Sequence, residues 1–254
     1  SRATPQEADQ VLMVLLQHGI NHIDTAPMYG NSEKMIGEWM KNHRDNFFLA
    51  TKTRSRSYSG AWKDLQNSLK TLQVNQIDLW QMHGLTNPQG WEKAMGLQGA
   101  LRAFIEAREQ GLVRFLGVTG HGSQAPMMHR KSIERYPFDS VLFPYNYLQM
   151  KDGRYAASVQ ELAQTCRERS IAIQTIKSIA RRPWQGQARP FNTYFYEPLS
   201  DPDAVKESVH WALGLADSFV ITAGDMNLLP KFLAAASCFQ EVPADKEMEE
   251  IIEK

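Results

Sequence analysis

From Pro5 onward the apolar positions fall into two alternating patterns. In the first they recur every three or four residues, as in Ala8, Val11, Leu12 and Leu15, which is the stripe of an amphipathic helix. In the second they run together, as in "FFLATK" (47–52), "IDLWQMH" (77–83), "RFLGVTG" (114–120), "SVLFPYN" (140–146), "IAIQTIK" (171–177) and "SFVITAG" (218–224). Such runs, rich in branched and aromatic residues, predict strands. A further short strand is predicted over 20–24. Helical stripes fill the intervals. One opens near Ser32 (Met35, Ile36, Trp39, Met40), one carries Leu65, Leu69 and Leu72, and a longer one covers about 91–110 and stops at Gly111. Others cover about 125–135, the segment with Val159, Leu162, Ala163 and Cys166, and the segment with Val205, Val209 and Leu213 after Asp201-Pro202. A last one reaches about Ser237. Thr4-Pro5-Gln6-Glu7 reads as an N-cap, a proline in the first turn and a capping-box glutamate, and Gly19 is a stop. A long loop (178–201) holds Pro183, Gly186 and Pro190, and the acidic tail after Pro243 reads as a short amphipathic or frayed helix.

The pattern is strand then helix throughout, seven strands and eight helices before the tail. Continuous apolar strands at this spacing predict a parallel sheet covered on both faces, hence an α/β protein. An open doubly wound sheet and an eight-stranded (β/α)8 (TIM) barrel compete. About 250 residues suits a barrel, and no strand leads into a glycine-rich dinucleotide fingerprint, which weakens the open-sheet reading. In the barrel reading, residues 1–254 form one domain and the first strand lies upstream of residue 1.

Charge and composition narrow the function classes. Lys and Arg together number 28, as do Asp and Glu, so the net charge is zero and nothing calls for nucleic acid. No apolar run approaches the ~18 residues of a membrane span. The two cysteines, Cys166 and Cys238, have no metal-ligand spacing and read as free buried thiols in a reducing cytoplasm. No metal site is expected. Neutral charge is compatible with a monomer or a dimer.

Barrel chemistry sits at the C-terminal ends of the strands. There the sequence offers Asp24 with Tyr29 on its loop, Lys52 of "LATK" and His83 of "LWQMH". A free phenol, with a pKa near ~10, is a weak proton donor to a developing alkoxide. An ammonium beside it lowers that pKa; Lys52 supplies the ammonium and Asp24 keeps it charged. His83 can direct an N–H at a carbonyl oxygen, orienting it and stabilising negative charge as it forms. The set suits reduction of a carbonyl by hydride, which a nicotinamide cofactor must carry. Each residue alone also has a structural use, as a turn cap, a packing ring or a surface cation; their convergence on one predicted rim is what favours chemistry.

On "HIDTAPMYG", "LATK" and "IDLWQMH", in that order and spacing, the sequence resembles the aldo-keto reductase family, (β/α)8 barrels that reduce carbonyls with NADPH. The resemblance covers residue 5 to about 237. It implies Tyr29 as general acid, Lys52 and Asp24 as the pair that sets its pKa, and His83 as the group that orients the carbonyl. It also implies NADPH as cofactor, with NADH left open. "GVTGHG" stands where many members have Gly-x-Ser-Asn, so Thr119 takes the serine's place and Gly120 the asparagine's, as in a branch with Thr-Gly-His. Leu142 and Ile176 replace a common Gln and Tyr of the nicotinamide site. The resemblance assigns Asn146, Lys177, Ser178, Gly224, Asp225 and Asn227 to the cofactor as well. The last of these segments departs most: a 2′-phosphate needs a basic clamp, yet Asp225 stands there and Lys231 is the nearest cation, with Arg181 and Arg182 after the preceding strand within reach of a pyrophosphate.

The substrate is expected to be a small aldehyde or ketone. His121, Trp91 and Trp184 are candidates for its pocket, with Leu85, Met95, Phe191, Tyr194, Phe195 and Tyr196 as further apolar lining or simple loop packing. Two other functions compete with a reductase. One is a nicotinamide-sensing regulatory or binding subunit with little turnover. The other is an aldolase or isomerase with Lys52 as a Schiff-base lysine, which would have to be neutral and is disfavoured by Asp24.

Overall fold

The structure is a computed structural model that describes residues 4–185, 189–193 and 195–253. Two units are distinguished, Ser1–Val141 and Leu142–Lys254.

In the first unit α1 (Pro5–Gln17) starts on the expected capping box, the Thr4 side chain accepting from the Glu7 N–H and Glu7 reaching back to Thr4 N (2.7 Å). There follow β1 (His22–Asp24), α2 (Ser32–His43), β2 (Phe48–Thr53), α3 (Tyr58–Leu72) and β3 (Ile77–Met82), then α4 (Pro88–Met95), α5 (Ala100–Glu109), β4 (Val113–Thr119) and α6 (Ala125–Arg135). The strands are parallel and ordered β1-β2-β3-β4. Their register decides which side chains share a face. His22 pairs with Phe48, Asp24 with Ala50, Lys52 with Gln81, and Gln81 with Gly117. Because side chains alternate along a strand, Asp24, Lys52 and Gln81 lie on one face. Ile23, Leu49, Trp80, Met82, Leu116 and Val118 lie on the other and are buried. Trp80 stacks on Phe104 of α5 at 3.8 Å between ring centroids, one of the large apolar contacts that fix helix on sheet.

The helix expected over 91–110 is two helices. Gly96 ends α4 and Gly99 caps α5, and a Cβ at Gly99 would lie 2.2 Å from the Ala94 carbonyl oxygen. The apolar stripe hid the break because both pieces bury the same kinds of residue: Trp91, Ala94 and Met95, then Leu101 and Phe104.

The second unit begins inside β5 (Ser140–Pro144). It continues through α7 (Tyr147–Met150), α8 (Gly153–Glu168), β6 (Ala172–Ile176), β7 (Ala180–Arg182), β8 (Glu197–Pro198), α9 (Pro202–Leu213), β9 (Ser218–Val220), α10 (Leu229–Ser237) and α11 (Asp245–Glu253). Strands β5, β6 and β9 are neighbours in that order, with Ile173 level with Ser218 and Thr175 with Val220. Ile179, Val205, Val209, Leu228, Phe232 and Ala235 form a core between α9 and α10. The expected loop over 178–201 contains an antiparallel ribbon of β7 and β8, too short to leave a periodic signal. Gly186 and Tyr194 lie outside the described residues. The last predicted strand pairs only as far as Val220. Both cysteines are free, but Cys238 is exposed rather than buried, since it follows the end of α10.

The alternation is thus that of an α/β fold, with seven strands in the parallel alternation among the described residues. No helix among them is long and apolar enough to cross a membrane.

Candidate active site

The polar face of β1–β3 delivers its groups to one place. Lys52, whose side chain is 2 % exposed, is ion-paired to Asp24 Oδ2 and donates a further hydrogen bond to the Thr25 carbonyl oxygen at 2.9 Å. The second Asp24 oxygen accepts from Gln81 Nε2 at 2.9 Å. Asp24 therefore has a cation on one oxygen and a neutral donor on the other, which compensates burial of both charges. Gln81 was not singled out from the sequence; only the pairing register puts it level with Lys52.

Tyr29 follows β1 on a turn closed by its N–H on the Ala26 carbonyl oxygen (2.9 Å). Gly30 leaves that turn at φ +64°, a left-handed conformation that glycine takes without penalty, so the glycine after Tyr29 answers a backbone requirement. The Lys52 ammonium lies 5.1 Å from the Tyr29 ring centroid, and the His83 ring meets that of Tyr29 edge-on at 5.7 Å. Burial raises the Tyr29 pKa, Lys52 pulls it down through its charge and a hydrogen bond, and Asp24 pushes it up. The net direction is upward, opposite to the lowering expected from Lys52 alone: Asp24 offsets part of the ammonium's field, and desolvation disfavours the phenolate.

His83 is the most displaced titratable group here. Burial, then the charges of Lys52, His121, Arg54 and Arg56, hold its pKa down at about 3. The imidazole is therefore neutral at physiological pH and has one N–H to donate. Arg56 clamps the backbone behind it, its Nη2 donating to the carbonyl oxygens of His83 (2.7 Å) and Gly84 (3.1 Å). Arg54 and Arg56 escaped the sequence reading, although "TKTRSRS" puts one of them two residues beyond Lys52.

The other assigned residues of this unit are differently placed. Thr119 is buried, its hydroxyl donating to the Met82 carbonyl oxygen (3.3 Å) and accepting from Gly84 N (3.1 Å). Gly120 is closed in: a Cβ would lie 2.7 Å from Ala125 and Thr86 and 2.8 Å from His129 Nε2. No asparagine fits there, which explains the departure from the more common motif. His121 sits 6.1 Å, ring to ring, from His83. Trp91 is buried, donating to Ser132 Oγ at 3.0 Å, with the Lys131 ammonium 3.7 Å from its ring centroid. Leu85 and Met95 are likewise buried.

In the second unit Asn146 caps α7, accepting from Gln149 N (2.9 Å) and donating to the Lys177 carbonyl oxygen (3.2 Å). Lys177 has φ +65°, unusual for a residue with a side chain. It forms no ion pair among the described residues, and its ammonium lies 5.2 Å from the Phe195 ring centroid. Ser178 beside it is buried. Gly224 is open on its Cβ side and Asn227 is exposed. Asp225 is 1 % exposed and accepts from the N–H groups of Asn192 (2.7 Å), Asn227 (2.9 Å) and Leu228 (3.3 Å). It caps the turn into α10 and ties the 189–193 segment to it. Arg181 and Arg182 pair with Glu197, and Lys231 donates to the Ser200 carbonyl oxygen (2.6 Å). Trp184 donates its indole N–H to the Thr193 carbonyl oxygen (2.6 Å). Phe191 packs on the α9–α10 core, and Phe195 is exposed. Among the described residues no cluster of three or more His, Cys, Asp or Glu is placed to hold a metal ion.

The strand ends of this parallel α/β unit thus carry a buried Asp–Lys pair, a phenol and a neutral imidazole. Residues 1–250 match the model of the aldo/keto reductase family, and the chain belongs to that family. It is 24% identical over 172 residues to the oxidoreductase YqkF of Bacillus subtilis, covering 61% of this chain and 53% of that one. It is 28% identical over 194 residues to the aryl-alcohol dehydrogenase GME11368 of Pestalotiopsis microspora, covering 67% and 47%. The chain thus spans about half the length of these relatives. In fold it is similar to the Bombyx mori aldo-keto reductase AKR2E4, solved in complex with NADP, with a TM-score of 0.67, 18% identity, and coverage of 100% of this chain and 84% of that one.

Proposed function

We propose that the protein reduces an aldehyde or ketone to the alcohol with NAD(P)H, on a site made by Asp24, Lys52, Tyr29 and His83. The observation that carries this reading is the Lys52 ammonium held by Asp24 and Thr25 while facing the Tyr29 ring. The reading includes the (β/α)8 barrel, supported by the seven-strand alternation and by family membership.

The tetrad fits a nicotinamide cofactor in a specific sense. It has an acid, a cation and an N–H donor for an oxygen, but no group able to give a hydride; the bound cofactor supplies that hydride. Everything else falls to the chain. His83, neutral, donates its N–H to the carbonyl oxygen and fixes its direction. Tyr29 Oη gives its proton to the same oxygen as negative charge develops. Lys52, positive beside the phenol, stabilises the phenolate left behind. Asp24, itself held by Gln81, and the Thr25 carbonyl oxygen hold Lys52 in position. A raised Tyr29 pKa keeps the phenol protonated through the neutral range, the form that reduction needs. In the second unit Lys177 and Ser178 are the residues suited to a pyrophosphate. Asp225, by contrast, already occupies the N–H groups of Asn192, Asn227 and Leu228 and adds negative charge where a 2′-phosphate clamp would stand. NADH is accordingly accepted alongside NADPH.

The test is fluorescence quenching by each nucleotide, followed by turnover of an aldehyde panel, for wild type and Tyr29→Phe. Binding by both proteins with reduction lowered ~10²–10⁴-fold in the variant is the expected result. Equal turnover by both removes Tyr29 from the mechanism. Binding with no turnover by either supports a cofactor-sensing subunit instead.

A further inference from the structure

The segment after β2 places a second cation at the edge of the tetrad. Thr53 Oγ1 and Ser55 Oγ both donate to Asp64 Oδ2, at 2.5 and 2.7 Å, and Ser55 N donates to Thr53 Oγ1 at 3.0 Å. Both hydroxyls thus converge on α3. Arg54, between them, follows directly on Thr53, whose carbonyl oxygen accepts from His83 N at 2.8 Å, and alternation along the chain puts it on the side of Lys52. It is exposed and forms no ion pair among the described residues, although Asp64 is so near in the chain's path. Its charge reaches His83, where it helps to hold the imidazole neutral.

The surrounding carboxylates are engaged with other groups. Asp24 is taken by Lys52 and Gln81. Asp64 is taken by the two hydroxyls, and Glu33 accepts from Thr51 Oγ1 at 2.7 Å on the helix-facing side of β2. Arg56 adds a second guanidinium, held among the described residues by backbone carbonyl oxygens, with Nη1 buried and without a partner among them. His121 is the remaining titratable group beside His83. A carbonyl brought to Tyr29 and His83 therefore comes near a guanidinium that has no ion-pair partner among the described residues, while Asp64 and Glu33 accept from hydroxyls on the helix-facing side of β2. A guanidinium matches the two oxygens of a carboxylate or phosphate.

We propose that Arg54 receives an anionic group, a carboxylate or a phosphate ester, on the carbonyl substrate, and that the protein reduces such aldehydes or ketones in preference to neutral ones. This rests on the carbonyl-reductase reading above and assigns its substrate class.

Matched substrates test it: succinate semialdehyde against its amide, and glyceraldehyde 3-phosphate against glyceraldehyde, with wild type, Arg54→Gln and Arg54→Lys and with saturating NADPH. Wild type should prefer the anionic member of at least one pair, and the pair that shows the preference tells carboxylate from phosphate. Arg54→Gln should raise KM for that member ~10–100-fold, the span of a charge-assisted hydrogen bond, with kcat near wild type and a much smaller change for the neutral partner. Arg54→Lys should recover part of the loss, and added salt should erode the preference. Equal kcat/KM within both pairs, or an equal loss for charged and neutral members, overturns the proposal. A loss of NADPH affinity in Arg54→Gln without loss of discrimination assigns Arg54 to the cofactor and also overturns it. Should no aldehyde be turned over, the reductase reading fails separately. Calorimetric binding of succinate and of inorganic phosphate then decides: affinity lost in Arg54→Gln upholds the anion site, and affinity absent or unchanged removes it.

Discussion

At the scale of single residues the site depends on charges that cannot stand alone. Asp24 and Lys52 have side chains 8% and 2% exposed and satisfy each other. Removing one member of a buried pair leaves the other uncompensated, at a cost of about 3–5 kcal/mol. Asp24→Asn is therefore expected to lower the urea midpoint markedly, whereas Asp24→Asn/Lys52→Met should cost less than the two single changes summed. Additive losses would show that the two groups do not stabilise each other. Tyr29→Phe supplies the contrast, since it deletes one hydroxyl of a partly buried ring and should stay close to wild-type stability. The four residues of the tetrad were legible because each is a chemically distinctive type at the end of an apolar run. Gln81 was not, because an amide inside "IDLWQMH" carries no signal until register sets it beside Lys52 and Asp24. Nor was the net direction of the Tyr29 shift legible, because it depends on how deeply the ring is buried.

At the scale of elements the sequence pattern locates helices and strands better than it locates their ends. Every predicted strand in the first unit is present because a parallel strand covered on both faces must be apolar along its length. The α4–α5 break was invisible to the same logic. Two helices that bury one side each continue a common stripe; the break lies in the extended backbone of Gly96 and Gly99, and a Cβ at Gly99 would lie 2.2 Å from Ala94 O and 2.4 Å from Lys93 O. Gly99→Ala should consequently destabilise by roughly 2 kcal/mol or more, since the obstacle is backbone and cannot swing aside. Gly153→Ala, where a Cβ meets nothing within 4 Å at the start of α8, should stay within about 0.5 kcal/mol of wild type. Thermal or urea unfolding of the pair distinguishes steric necessity from a general cost of replacing glycine; equal losses would discard the steric account. The β7–β8 ribbon was missed for a different reason. Its strands span three and two residues, too few for an alternation to be read, and its register is irregular between Ala180 and Arg182.

For the whole molecule, the α/β class was legible in the alternation of runs and stripes, whereas the number of strands alone did not choose between a closed barrel and an open sheet. Stability as a function of pH is the global property that the site controls most directly. His83 is 6% exposed and titrates at about 3 in the folded protein, against about 6.5 in an unfolded chain. As pH falls below 6.5 the unfolded state takes up a proton that the folded state refuses, so stability declines with falling pH across that window. Between pH 7 and pH 5 this amounts to ~2 kcal/mol at 1.36 kcal/mol per unit. His22, whose pKa is also lowered by burial, acts in the same sense. Glu33, raised by burial, acts in the opposite sense, and Asp78, whose burial is outweighed by Leu49 N–H, Arg114 and Arg44 so that its pKa is lowered, loses its contribution only as pH falls through and below the ordinary carboxylate range. Comparing urea stabilities of wild type and His83→Gln at pH 7 and pH 5, without nucleotide, isolates the one contribution. The wild type should lose about 2 kcal/mol more than the variant over that interval. Parallel losses would mean that His83 is protonated without penalty in the folded state. It would then meet a carbonyl as a cation at acid pH, and reduction would acquire an acid dependence near pH 6 that a neutral His83 does not give.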